Sequence, residues 1–193
     1  MEKNIVYFHH REEWRNWLNT HFKSEKEVWF TFPTVDSGEE GITYNDAVEE
    51  ALCFGWIDGI AGTLDQTHQL RRFTPRRKGS PYSQLNIERL IYLNEHNMIH
   101  EEIIPSIKEI ISKPFIFPKD IIKELKKDEV VWNNYQAFSE SYKRIRIAYI
   151  DAARNRPEEF KKRLSSFIKK TKENKIITGY GGTDKYYNRG ITS

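Results

Sequence analysis

Trp14, Trp17, Leu18 and Phe22 recur at helical spacing through "REEWRNWLNTHF", which predicts an amphipathic helix buried through its tryptophans. A short β-prone run, "IVYF" (5–8), precedes it and reads as a first strand. In "EVWFTFP" (27–33), Val28, Phe30 and Phe32 alternate with Trp29 and Thr31, so both faces are apolar. A central strand ended by Pro33 is expected. After the polar "VDSGEEG", Thr43 opens a helix with Asp46 three residues on, and Tyr44, Ala47, Val48, Ala51 and Leu52 share a face. Gly55 is the expected left-handed residue past its end.

"WIDGIAGT" and "HQLRRFT" read as two strands joined around "LDQT"; a turn near Asp65 and Gln66 sets Asp58 roughly opposite Phe73. A helix over 82–94 is expected next, with Ser80 as its N-cap and Pro81 at its first position. From His100 the pattern is helical only, beginning with a stripe of Ile103, Ile104, Ile107, Ile110 and Ile111. "PKDIIKELKKD" and "EVVWNNYQAF" read as short helices. Tyr142, Ile145, Tyr149 and Ile150 mark a longer one, and Phe160, Leu164, Phe167 and Ile168 the last. "ITGYGGTDKYYNRGITS" has no period and is expected to be partly disordered. The predicted class is α+β: a small, largely antiparallel sheet packed with helices (1–97), a C-terminal helical unit (98–173) and a flexible tail (174–193).

Composition narrows the class further. The 193 residues suit one domain or two small ones, and 13% aromatics suffice to build a core. A net charge of +3 is too balanced to argue for nucleic acid by itself. The one cysteine, Cys53, forms no internal disulfide. No export signal stands at the start, and no run approaches the roughly 18 apolar residues of a membrane span, so a cytoplasmic location is expected.

Two clusters carry candidate chemistry. Asp58 lies near Arg71, Arg72, Arg76 and Arg77, with Trp56 on its own strand face, which suits a pocket for a polar or anionic ligand. The plainer reading is a structural Asp–Arg pair or a carboxylate closing a turn. In "RFTPRRKGSPYSQLN", Arg76, Arg77, Lys78, Ser80 and Ser83 sit where a loop enters a helix, an arrangement that holds anions or simply caps the helix. Cys53 reads as a buried structural thiol and not as a nucleophile. His96 and His100 straddle a helix end and lack the glutamate of a zinc-protease helix, so neither metal nor cofactor is expected. Residues 139–175 hold 12 Lys or Arg against 5 Asp or Glu, a basic face for nucleic acid or a solvated one.

"ALCFGWIDG" and "RRFTPRRKGSPYSQLN" resemble the bacterial YdeI/OmpD-associated family, the bacteriocin-protection proteins. "REEWRNWL" and "EVWFTF" look like its opening segments, and "FPKDIIKELKKDEVVWNNYQAFSESYKRIRIAYIDAA" like its helical region. The matching motif residues are Cys53, Gly55, Trp56, Asp58, Arg76, Ser80, Ser83 and Asn86. Tyr82 stands where the family usually has Trp, and "RNRPEEFKKR" replaces its Thr-Arg stretch. The resemblance implies stress resistance towards bacteriocins or antimicrobial peptides, with no established catalytic residues; members are often described as periplasmic.

The leading expectation is a non-enzymatic, stress-related binding protein whose partner is a small polar or anionic molecule or a protein. Trp56 would form an apolar wall and Asp58 accept hydrogen bonds. Arg72 and Arg76 would hold an anion, and Ser80, Ser83 and Asn86 would donate. The alternatives are a hydrolase or transferase with Asp58 as general acid or base, and nucleic-acid binding through the basic helices.

Overall fold

Strand β1 (Ile5–Val6) runs parallel to β2 (Val28–Pro33); β2 runs antiparallel to β4 (His68–Pro75), and β4 to β3 (Trp56–Thr63). The result is a four-stranded sheet in the order β1–β2–β4–β3, so the doubly apolar "EVWFTFP" is an interior strand. This computed structural model describes residues 4–178 and 183–187. The chain is α+β and falls into two units: residues 1–81 with 90–109, and residues 82–89 with 110–193. The expected division after residue 97 falls inside the 90–109 segment.

The first unit holds the sheet and helices α1 (Arg11–His21) and α2 (Tyr44–Cys53). Trp14 and Leu18 bury the face of α1 that their spacing predicts. The Trp14 ring meets Phe30 edge-on at 5.1 Å, and its indole N–H donates to the Ala47 carbonyl at 3.1 Å, joining α1 to α2. Only Ile5 and Val6 of the first β-prone run pair, because the Tyr7 hydroxyl donates to the Glu40 carbonyl and Phe8 turns onto Trp14. Thr43 caps α2 by accepting from the Asp46 N–H at 3.1 Å. Gly55 has φ +72°, and a Cβ there would meet Ile103 Cδ1 at 3.0 Å.

The second unit takes the first half of α3 (Gln84–Glu95) and the end of α4 (Ile104–Ser112), then α5 (Lys119–Leu125), α6 (Glu129–Ala137), α7 (Glu140–Asp151) and α8 (Pro157–Lys172). Ile121, Leu125, Val131, Tyr142, Ile147 and Phe167 are its buried stripes. Asp128 caps α6 through the Val130 and Val131 N–H groups, Ser139 caps α7 through Tyr142, and Pro157 starts α8. Of the segment expected to be a loose tail, Thr183–Tyr186 form a 3-10 turn in which Tyr186 is fully buried, as is Tyr187 beside it. Residues 179–182 and 188–193 lie outside the described residues.

Candidate functional site

Asp58 stands opposite Phe73 in the β3–β4 register, as the turn position predicts. Its carboxylate is held by a phenol: Oδ2 accepts from the Tyr44 hydroxyl at 2.5 Å. Arg72 pairs with Glu27 at 2.5 Å. Arg71 lies 5.0 Å over the Tyr44 ring and donates to the Gly59 carbonyl at 3.3 Å. Trp56 is 1% exposed; its indole N–H donates to the Phe22 carbonyl at 3.1 Å, and its ring meets Trp17 edge-on. Arg76 donates to the carbonyls of Ser80 and Pro81 at 3.2 and 2.9 Å, tying down the loop it begins. An anion at Arg76 would compete with both carbonyls.

Ser83, and not Ser80, caps α3. Its Oγ accepts from the Asn86 N–H at 3.3 Å, and its carbonyl from Ile87 at 3.0 Å. Pro81 disfavours helical geometry at Ser80, which leaves Ser83 as the last hydroxyl before the helix. Ser83 and Asn86 belong to the second unit, whereas Trp56, Asp58, Arg72, Arg76 and Ser80 belong to the first.

The second unit contains a cavity of about 370 Å³. Its wall comes from Ser83, Gln84 and Leu85 at the start of α3, from Ile145, Arg146, Ala148, Tyr149 and Ala152 along α7, and from Thr183 and Tyr187. Glu88 fixes the first wall to the second. Wholly buried, it accepts two hydrogen bonds from Arg144, at 2.6 and 3.0 Å, and one from Gln84 at 2.9 Å. Those bonds raise the Arg144 guanidinium above its ordinary value, against the cost of its burial. Asn86 accepts from Arg89 at 2.8 Å, and the Arg89 guanidinium lies 6.0 Å over the Tyr186 ring. Ser139 donates to the Tyr187 carbonyl. These contacts set the third wall.

Inside, the surface is mostly aliphatic and aromatic. Arg146, 5% exposed, brings a cation to the wall, its guanidinium 5.1 Å over the Tyr149 ring. Thr183 is 3% exposed, and its Oγ1 is buried without a hydrogen-bond partner among the described residues. An apolar hollow with a few polar groups is the ordinary form of a small-molecule site. Sequence reasoning singled out Ser83 and Asn86 from this region and missed the rest. The available signal was Arg146, a charge on the apolar stripe of α7.

Cys53 is fully buried, and burial, then the charge of Glu50, pushes its thiol up to about 12, as suits a structural cysteine. Among the described residues no group of three or more His, Cys, Asp or Glu is placed to hold a metal ion. In the basic helical half, Arg154 pairs with Asp120 and Asp151, Arg163 with Glu159 and Lys172 with Asp128. No helix among the described residues is long and apolar enough to cross a membrane.

Residues 6–105, more than half of the chain, match the family described as a domain of unknown function (DUF8412). The chain belongs to this family. Residues 114–174 match a second family, described as "Bacteriocin-protection, YdeI or OmpD-Associated". The resemblance drawn from the sequence is therefore upheld in the helical half. The motifs "ALCFGWIDG" and "RRFTPRRKGSPYSQLN" fall within the DUF8412 match instead. The α7 wall of the cavity and the buried stripes of α5 to α8 lie in the YdeI/OmpD-associated segment. No curated protein and no solved structure matches the chain.

Proposed function

We propose that this protein is a binding protein whose second unit takes a small, mostly apolar molecule with one polar end. The observation that carries the reading is the 370 Å³ cavity, whose mostly apolar lining also includes Arg146 and Thr183. The volume lies within the range of ligand sites, roughly 300–1,000 Å³. The apolar walls would hold the body of the ligand. The Thr183 hydroxyl and the Arg146 guanidinium would meet its polar end, an alcohol or a carboxylate. Among the described residues the lining includes no carboxylate, imidazole or thiol, the groups that most often carry acid–base or nucleophilic work. A protective role of the kind in the description of the family matched by residues 114–174 would then be sequestration of an amphiphilic compound.

Phenylpropionate and phenylpropanol test the reading in a thermal-shift experiment. At about a hundredfold excess over Kd, a ligand that binds only the folded state adds about 2.7 kcal/mol of stability. The Ala148→Phe variant fills the cavity and should lose that gain while keeping a cooperative unfolding transition. Equal stabilisation of both proteins, or of neither, contradicts the proposal.

A further inference from the structure

A second surface, on α5, stands independently of the cavity. Lys119, Lys123 and Lys126 line a shallow groove of about 460 Å³ together with Phe117 and Ile122. The i, i+4, i+7 spacing puts the three ammonium groups along one face, over roughly 10 Å of helix. The carboxylates of the same helix are already engaged. Asp120 takes two hydrogen bonds from Arg154, at 2.9 and 2.8 Å, and Glu124 pairs with Lys127 at 2.8 Å. Lys119 and Lys123 are exposed and have no ion pair or hydrogen bond among the described residues. Lys126 lies 4.8 Å over the Trp132 ring. Beside the groove Ile116 is 82% exposed, and Phe117 packs edge-on against Phe115.

We infer that this groove docks an acidic peptide segment of a partner protein, with an aliphatic side chain seated between the lysine stems on Phe117 and Ile122. Three cations with no carboxylate in the lining complement two or three closely spaced Asp or Glu residues. The apolar floor adds what charge alone does not, because lysine stems and rings desolvate an inserted side chain. A bilayer surface is too flat to fill a concavity. A nucleic acid, whose affinity accumulates over many neutralised phosphates, gains little from so short a patch.

Fluorescence anisotropy with a labelled Glu/Asp-rich peptide carrying one central leucine tests this. The full chain should bind it at low salt, more weakly as salt rises. It should not bind the Gln/Asn counterpart. Lys119→Gln with Lys123→Gln should weaken binding about tenfold or more. Ile122→Ser should weaken it too. Lys119 and Lys123 are exposed and Ile122 is half-buried, and circular dichroism checks that the variants fold. Undetectable binding, or binding that the double lysine variant leaves unchanged, overturns the proposal. So does tighter binding of phosphatidylglycerol vesicles or single-stranded DNA that depends on the same lysines.

Discussion

Arg144 grips Glu88 with two hydrogen bonds, Nε to Oε1 at 2.6 Å and Nη2 to Oε2 at 3.0 Å, across two segments separated by 56 residues in sequence. Glu88 is 0% exposed, so its charge has no recourse to water. Arg144→Met removes the two-point cationic partner of that carboxylate and leaves it the Gln84 hydrogen bond. The variant should lose about 3 kcal/mol in urea unfolding, at the low end of what breaking a buried pair costs. The same loss frees the Ser83–Leu85 wall, so the probes that bind the wild type should bind it more weakly. An unaltered midpoint would show that the pair does not hold this wall.

Thr183→Val separates stability from binding. Removing a buried hydroxyl that has no partner among the described residues relieves a desolvation cost, so the ligand-free variant should be more stable by about 1 kcal/mol. Phenylpropanol should bind it about tenfold less well, since the wall no longer answers its hydroxyl. Loss of stability together with unchanged affinity would assign Thr183 a structural bond instead.

Gly55→Ala probes the junction between α2 and β3. An alanine at φ +72° is strained, and its Cβ would stand 3.0 Å from Ile103 Cδ1. Unfolding experiments should register a loss of roughly 1–2 kcal/mol. A neutral result would mean that the helix end adjusts freely.

The hairpin turn sets a pH response. The Asp65 hydrogen bond raises His68 above its ordinary 6.5; desolvation of the ring opposes this, and Glu39 adds to it. Because the folded-state value is the higher one, the stabilisation is full below the unfolded value and fades as pH rises through the folded value. Asp65→Asn should lower the His68 midpoint in an NMR titration and remove that part of the pH dependence. A midpoint that stays in place would rule out Asp65 as the cause.

The hairpin was legible because strand alternation and a short polar turn are local signals. They put Asp58 opposite Phe73, and the end of α2 put Gly55 in the left-handed region. The partner of Asp58 was not legible. Arginines close by in sequence pointed to an ion pair, but Glu27 on the next strand and the Gly59 carbonyl engage Arg72 and Arg71, leaving Tyr44 to reach the carboxylate. Pro81 after Ser80 pointed to Ser80 as the cap of α3, and only the chain path gives that role to Ser83. The cavity lay hidden for a different reason. Ile145 and Tyr149 have the same spacing whether they fill a core or line a hollow, and Thr183 and Tyr187 come from a segment with no period at all.

Methyl NMR of the full chain during titration with phenylpropionate tests the central claim most directly. Binding in the second unit predicts saturable shifts at the Leu85, Ile145, Ala148 and Ala152 methyls, with those of Val28 and Leu70 in the sheet unmoved. No saturable shift, or shifts centred on the sheet, would contradict it.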